Sequence, residues 1–275
     1  MMRQALVKRY YENLKPPPLE PWNIGRKQIR ILAGGRRLIK LNTLGNRVNE
    51  KALWKLCSRH APTHVYMSIL DYLFPERVGG EGKAEHAHPV GGEYVVDTDT
   101  LLFRRMDSHE HPRTWICTGC VEVARKYTIR LSELIEENYS NIAIVFSGAR
   151  GFHIHVLDFN VKDWTHCDEH NPVESHEAAR LRYTLHLARM LDTRFDEPHF
   201  TLSPGPMRVV SVPHTLNAST GLVCKPVGSR MILERKSAAR ILDEANPSLA
   251  VWPVEVSPGH HSDGHGGETI KTDFF

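Results

Sequence analysis

The chain has 275 residues, of which 41% are hydrophobic and 24% are charged, and its formal net charge is +3. This composition is ordinary for a globular protein that buries one large core or two small ones. It excludes a membrane span, and the N-terminal residues lack the apolar core of a signal peptide. Five cysteines, two of them close together, fit a metal site in a reducing compartment better than a disulfide framework.

Hydrophobic periodicity and turn residues divide the chain into alternating helices and strands. Helices are predicted over 2–15, 49–60, 121–138, 175–191 and 237–245. Strands are predicted over 29–32, 37–41, 65–69, 92–103, 142–146, 152–157, 207–212 and 221–227. Residues 74–92 and 104–120 have the composition of loops, and residues 257–275 that of a flexible tail. This order indicates an α+β fold with an antiparallel or mixed sheet.

Two aspartates, Asp97 and Asp99, end a β-rich run. Side chains alternate along a strand, so these two carboxylates point to the same side. Two like charges that close are unfavourable unless a divalent cation lies between them. Asp196, which precedes a predicted strand, supplies a third carboxylate. Three carboxylates can hold two hard cations such as Mg²⁺ or Mn²⁺, which activate a 3′-hydroxyl and stabilise a leaving pyrophosphate.

A tight turn follows the strand predicted over 142–146. It offers the hydroxyl of Ser147, two glycine backbones, the guanidinium of Arg150 and the imidazole of His153. All of these groups bind phosphate oxygens, although Ser-Gly and Arg-Gly are also ordinary turn dipeptides. His155 lies two residues beyond His153 on the same strand face, and we interpret it as a core residue. With the carboxylates, the turn indicates chemistry on a nucleotide.

Three motifs occur in a fixed order along the chain. They are Val-Val-Asp-Thr-Asp at 95–99, Phe-Ser-Gly-Ala-Arg-Gly-Phe-His-Ile-His-Val at 146–156, and Arg-Val-Val-Ser-Val-Pro at 208–213. Together they resemble the archaeo-eukaryotic primase superfamily, most closely the DNA primase small (catalytic) subunit. The resemblance covers roughly residues 5–245. It implies a primase catalytic core with mixed sheets, flanking helices and an RRM-like half, within a catalytic domain over residues 1–256.

The resemblance also implies roles for individual residues. Asp97, Asp99 and Asp196 would be the catalytic carboxylates that hold two Mg²⁺ or Mn²⁺ ions. The incoming nucleoside triphosphate would be bound by the turn and the strand after it, through Ser147, Gly148, Arg150, Gly151 and His153.

The chain departs from the family pattern at three positions. Ala149 and Ser211 stand where the family usually has basic residues, and Asn217 stands where it has a histidine. These differences weaken the expected triphosphate affinity unless other residues substitute. His214 and Lys225 are the candidates, because both lie on the same predicted strand-turn-strand unit.

A small zinc-binding knuckle is expected at about residues 104–120. Cys117 and Cys120 have the spacing of half a zinc site, and His109 and His111 lie just upstream. The resembled subunit carries a zinc knuckle at this point, usually richer in cysteine, so we interpret these four residues as ligands of a structural Zn²⁺. The alternative is a pair of free thiols whose pKa values are lowered at a helix N-terminus.

A basic stretch lies near the start of the chain, where residues 22–49 contain no acidic residue and seven cations. It is either a solvated basic face or a track for a phosphate backbone. Beside a nucleotide site, we assign nucleic-acid binding to Arg26, Lys27, Arg30, Arg36 and Arg37.

The function implied is template-directed nucleotide transfer by a DNA primase or primase-polymerase in the cytoplasm, at the nucleoid, or in the nucleus of a eukaryote. Its partners would be a single-stranded DNA template, nucleoside triphosphates and a primase large subunit. The C-terminal residues 268–275 weakly resemble a sliding-clamp-binding peptide. The alternatives are an end-joining or repair polymerase of the same superfamily and a non-catalytic nucleic-acid-binding paralogue.

Overall fold

The structure, a computed structural model, describes residues 2–33, 37–42, 47–78, 84–99, 115–165, 172–194, 201–202, 209–247, 254–258 and 268–272. Within these ranges, no helix is long and apolar enough to cross a bilayer. The helices are α1 (Met2–Asn13), α2 (Glu50–His60), α3 (Thr118–Glu136), α4 (Pro172–Arg194), α5 (Arg230–Glu234) and α6 (Ala238–Ala245).

Side-chain caps place two helix starts within one residue of the prediction. The Asn49 side chain accepts a hydrogen bond from the Ala52 backbone N–H at 2.8 Å and begins α2. The Ser237 hydroxyl does the same for Arg240 at 3.3 Å and begins α6. Each cap satisfies a backbone donor that the first helical turn leaves unpaired.

The strands that the structure describes form four antiparallel sheets. In chain order they are β1 (Ile29–Ala33), β2 (Arg37–Lys40), β3 (His64–Ser68), β4 (Leu70–Tyr72), β5 (Pro89–Gly92), β6 (Tyr94–Asp99), β7 (Trp115–Cys117), β8 (Ile142–Phe146), β9 (Gly151–Val156), β10 (Thr201–Leu202), β11 (Val209–Ser211), β12 (Lys225–Gly228), β13 (Val254–Pro258) and β14 (Glu268–Thr272). The first sheet has the order β11–β3–β1–β2 and the second has the order β10–β6–β9–β8–β12. The predicted α+β class is confirmed, and of the antiparallel and mixed sheets that the sequence left open, the described strands form antiparallel ones rather than the mixed sheets that the resemblance implied.

The second sheet has a different core on each face. Val95 and Val145 join the apolar residues of the first sheet, α1 and α2 in one cluster. On the opposite face, Val96 and Ile154 pack against residues of α3 and α4. The second sheet therefore lies between the first sheet and the two long helices, so residues on its Val95 face look toward the first sheet.

Two smaller sheets differ from the sequence expectation. β5 lies in the stretch predicted as a loop and pairs with β4, with Leu70 opposite Gly92. β14 lies in the stretch predicted as a flexible tail and pairs with both β13 and β7, with Ile270 opposite Ile116. β5 is a short Pro-Val-Gly-Gly segment with the composition of a turn, and β14 follows a stretch rich in glycine, histidine and serine.

Candidate active site

The candidate site lies where β6 pairs with β9. Asp97 is directly opposite His153, and Asp99 is directly opposite Gly151. Opposite residues of an antiparallel pair share a face, so Asp97 and His153 lie on the Val95 face, toward the first sheet. The His153 Nε2 is 3.9 Å from the Asp97 Oδ1, and the Asp97 side chain is 26% exposed. The structure thus brings a carboxylate and an imidazole together at a solvent-accessible edge.

The turn between β8 and β9 requires glycine at residue 148. The Ser147 backbone N–H donates to the Gly151 carbonyl at 3.0 Å and closes the turn, and the Ala149 N–H donates to the Ser147 hydroxyl at 3.3 Å. Gly148 has a φ of +76°, and a Cβ there would lie 2.9 Å from the Cβ of Asn217. Both the backbone angle and the close approach exclude a side chain.

The segment between β11 and β12 fixes this turn by donating hydrogen bonds to its backbone carbonyls. The Asn217 Nδ2 donates to the Ser147 carbonyl at 3.1 Å, and the Thr220 hydroxyl donates to the Gly148 carbonyl. The Asn217 Oδ1 accepts from the hydroxyl and the N–H of Ser219 at 2.6 and 3.0 Å. Asn217, which the sequence presents only as a missing histidine, is thus committed to fixing the turn.

His64 of β3 faces the site from the first sheet, and sequence reasoning did not single it out. Its Nδ1 accepts from the Ala218 N–H at 3.2 Å, so Nε2 carries the proton and donates to the Ser211 hydroxyl at 2.7 Å. Burial lowers the pKa of His64 to about 4, with a further contribution from His153. His64 is therefore neutral at pH 7, and its ring stacks on Tyr66 with centroids 4.0 Å apart.

His214 and Lys225, the proposed replacements for the basic residues missing at positions 149 and 211, lie close to each other. Lys225 is opposite Phe146, immediately before the Ser147 turn. His214 adopts a φ of +64°, and its carbonyl accepts from the Tyr10 hydroxyl at 2.9 Å. Burial, followed by the charge of Lys225, lowers the pKa of His214 to about 4. At neutral pH, Lys225 is the charged member of this pair.

The basic residues of the first sheet do not form one surface. Arg26 is exposed, and Arg30 is half-buried with its Nε donating to the Gln28 side chain at 3.1 Å. Lys27 is only 2% exposed, and its ammonium is paired with Glu93 and Asp71. The structure therefore places Lys27 in the interior, away from any nucleic-acid backbone. Arg36 lies outside the described residues, and of Arg37 only the backbone, in β2, is described.

Several predicted ligands fall outside what the structure describes. Asp196, His109 and His111 lie outside the described residues, and only the backbones of Asp99 and Cys117 are described. Cys120 is in the first turn of α3, half-buried. In the described part of the chain, no group of three or more His, Cys, Asp or Glu side chains could hold a metal ion. The zinc site therefore stays a prediction.

The donor set at the end of β6 fits a hard cation. Asp97 presents a partly exposed carboxylate, and Asp99 follows it by two residues on the same strand. Carboxylate oxygens are the ligands that Mg²⁺ and Mn²⁺ prefer. The neighbouring His153 places a ring nitrogen 3.9 Å from the Asp97 carboxylate.

Comparison with known proteins supports the motif resemblance. No protein-family model matches the chain. The DNA primase small subunit of Methanocaldococcus jannaschii is 33% identical over 113 residues, which cover 39% of this chain and 31% of that protein. The DNA primase small subunit of Pyrobaculum arsenaticum is 24% identical in an alignment 286 positions long, which covers 87% of this chain and 84% of that protein. The predicted similarity to the primase small subunit is confirmed.

The extent of these matches differs. The chain spans about a third of the length of the methanogen relatives that it matches at 30–33% identity. Among solved structures, the polymerase domain of Mycobacterium tuberculosis Ligase D in complex with DNA matches with a TM-score of 0.49 and 12% identity, covering 90% of this chain and 84% of that chain.

Proposed function

We propose that this chain is a template-directed nucleotidyltransferase of the primase-polymerase kind, which joins nucleotides on a single-stranded DNA template. One observation carries the proposal. Asp97 at the end of β6 lies opposite His153 of β9, beside a turn built around Gly148. A carboxylate next to a group of phosphate-binding donors is what nucleotide transfer requires. The similarity to archaeal primase small subunits supports the same reading.

The carboxylates would hold the metal ions. Asp97 and Asp99 share a strand, and Asp196 would complete the set. Two bound Mg²⁺ or Mn²⁺ ions would supply activation of the 3′-hydroxyl and charge stabilisation at the leaving pyrophosphate.

The chain's own groups would bind and orient the triphosphate. The turn from Ser147 to Gly151 carries the Ser147 hydroxyl, and Arg150 and Lys225 add positive charge beside it. His153 stands between these donors and Asp97, where it would contact a phosphate oxygen and hold it near the carboxylates. A charge-assisted contact of this kind is shorter and stronger than a neutral one.

The remaining assignments extend from this centre. Arg26, Arg30, Arg36 and Arg37 would contact the template backbone, while Lys27 is omitted because it is buried. His109, His111, Cys117 and Cys120 would hold a structural zinc ion. A primase large subunit is a further proposed partner, and a sliding clamp, proposed from the clamp-like peptide at the C-terminus, is a weaker one.

The non-catalytic alternative depends on Ala149, Ser211 and Asn217. Two of these residues make contacts that support the structure of the candidate site, which argues against the non-catalytic alternative. Ser211 is paired with His64, and Asn217 fixes the turn through the Ser147 carbonyl. An end-joining or repair polymerase would use the same groups, so it differs from a primase in its substrate.

The test is incubation with single-stranded template, all nucleotides and Mn²⁺, with and without a primer. Nucleotide addition in either reaction supports the proposal. Products without a primer identify a primase, and products only with a primer identify a polymerase that extends or repairs. No product in any reaction, while the protein binds template, would support the non-catalytic alternative.

A further inference from the structure

A layer of buried ionisable side chains lies beneath the candidate site, and the proposed function does not use it. Its central members are Lys27, Glu93 and His155, which are 2%, 3% and 0% exposed. Buried charges are costly unless they are paired and hydrogen-bonded. The contacts of these three residues therefore need an account.

Lys27 connects the first sheet to the second. Its ammonium donates to the Ile69 carbonyl at 2.9 Å and lies 3.1 Å from the Asp71 Oδ1 and 3.3 Å from the Glu93 Oε1. The Ile69 carbonyl and the Glu93 carboxylate accept hydrogen bonds from this ammonium, and Asp71 adds a second negative charge beside it. Lys27 precedes β1 and Glu93 immediately precedes β6. The ion pair thus fastens the start of the strand that carries Asp97 to the first sheet.

The second oxygen of Glu93 holds His155. Oε2 is 2.7 Å from the His155 Nδ1. Burial would raise the pKa of Glu93, but Lys27 and His155 together lower it to about 2. The carboxylate is therefore ionised and can only accept, so the His155 Nδ1 carries the proton. An N–H cannot also accept, and the 3.4 Å approach of the Trp22 Nε1 to this nitrogen is a packing contact.

This layer is continuous with the candidate site. On β9, His155 lies two residues from His153, and their ring centroids are 6.0 Å apart at an interplanar angle of 66°. On β6, Val95 is opposite His155 and Asp97 is opposite His153. The two pairs are successive on one sheet face: His155 is fully buried, His153 is 7% exposed, and the Asp97 side chain is partly exposed.

We propose that Glu93 is a positioning residue for the candidate site. It orients the His155 ring with one oxygen and secures Lys27 with the other, and so holds His153 and Asp97 at a fixed place between the two sheets. The activity readout rests on the proposed function, whereas the orientation of the rings can be measured without it.

The experiment compares His155→Leu, His155→Asn and Glu93→Gln with wild type. Asparagine keeps a donor where the His155 Nδ1 stood, and leucine removes it at similar volume. Asp71→Asn is the matched control, because it alters a Lys27 contact without touching His155. The readouts are imidazole ¹H–¹⁵N spectra, melting temperature and kcat for nucleotide addition.

In wild type we expect His155 as the Nδ1–H tautomer, and in Glu93→Gln we expect shifted His153 ring signals. His155→Leu should lower kcat at least tenfold, and His155→Asn should recover most of that loss. Asp71→Asn should leave the His153 signals in place. If His155→Leu does not fold, the His153 ring signals of Glu93→Gln decide whether Glu93 is a positioning residue.

An Nε2–H tautomer of His155 in wild type, or unchanged His153 signals in Glu93→Gln, would overturn the positioning role. So would equal kcat values for the leucine and asparagine variants. If wild type adds no nucleotide at all, the proposed function fails, and the ring signals still decide whether Glu93 positions His153.

Discussion

At the scale of single residues, Asp97 is the group on which the proposed chemistry depends. Its carboxylate is partly exposed and lies 3.9 Å from the His153 ring. We expect Asp97→Ala to abolish nucleotide addition while template binding changes less than twofold, because the charge stabilisation that the site offers goes with the carboxylate. The measurements are primer extension and single-strand affinity. Asp243→Ala, an exposed change on α6, is the control and should stay active.

Arg150 and His153 should act on affinity for the incoming nucleotide. A charge-assisted hydrogen bond is worth roughly 1.5–3 kcal/mol, so Arg150→Ala and His153→Ala should each weaken triphosphate binding about ten- to a hundredfold. Titration of a labelled nucleotide checks this, with the exposed Arg189→Ala on α4 as control. Equal affinities in all four proteins would remove these residues from the site.

The sequence predicted some site residues better than others. Asp97 and His153 could be predicted as site residues because each lies on a strand with a clear apolar pattern and their motifs resemble one family. The pairing of β6 with β9 then brings them together. Lys27 could not be placed, since its partners Glu93 and Asp71 lie far along the chain and charge alone does not reveal burial. His64 was missed for the same reason, because its partner Ser211 lies 147 positions away.

At the scale of elements, we expect the turn around Gly148 to be the most sensitive to substitution. Alanine in the left-handed region costs roughly 1–2 kcal/mol, and here its Cβ would also meet Asn217 at 2.9 Å. Gly148→Ala should therefore lower the melting temperature and weaken triphosphate binding together. Gly25→Ala is the matched control, since a Cβ there meets nothing within 4 Å. A Gly148→Ala protein as stable as the Gly25→Ala protein would contradict the tight packing of this turn.

The start of α3 is where the predicted zinc ion is tested. Cys117 ends β7 and Cys120 lies in the first helical turn. Protein purified without chelator should hold about one zinc per chain, and Cys117→Ser or Cys120→Ser should lose it and melt earlier, because structural zinc adds to folding free energy. Cys57→Ser, a change at a buried cysteine in α2, should keep its metal. A wild-type protein that contains no zinc after this purification would contradict the predicted zinc site.

Element boundaries were predictable where a local side chain sets them. α2 and α6 begin beside Asn49 and Ser237, whose capping contacts span three residues. The β4–β5 hairpin was missed because its strands pair across a stretch rich in glycine and charge. Its buried residues Leu70 and Tyr72 pack with Val78 and Ala87, which belong to short segments that show no clear hydrophobic period.

At the scale of the whole molecule, stability should fall as the pH is lowered. Burial, aided by His153 for His64 and by Arg180 for His176, lowers the pKa of each histidine to about 4. Between pH 6.5 and 4 the unfolded chain binds protons that the folded chain excludes. In this range, each histidine lowers the free energy of unfolding by up to about 1.4 kcal/mol for each unit by which the pH falls. Below pH 4.5, Glu93 acts in the same direction, because its carboxyl takes up a proton in the unfolded chain while Lys27 and His155 hold its folded-state pKa at about 2.

Urea unfolding at pH 7.5, 6.5 and 5.5 measures this dependence. His176→Gln should flatten the slope, because glutamine takes up no proton. His86→Gln, at an exposed position, should leave it unchanged. A free energy of unfolding that stays constant between pH 7.5 and 5.5 would mean that the buried histidines accept protons in the folded state.

The strand order of the two main sheets has a consequence for synthesis of the protein. β3 pairs with β1 on one side and with β11 on the other, and β6 pairs with β9 and with β10. β10 and β11 lie far downstream, as shown by the pairing of Asp97 with Thr201. High contact order of this kind slows folding. A nascent chain that ends before residue 201 would leave β3 and β6 each with an open edge, available for pairing with another chain.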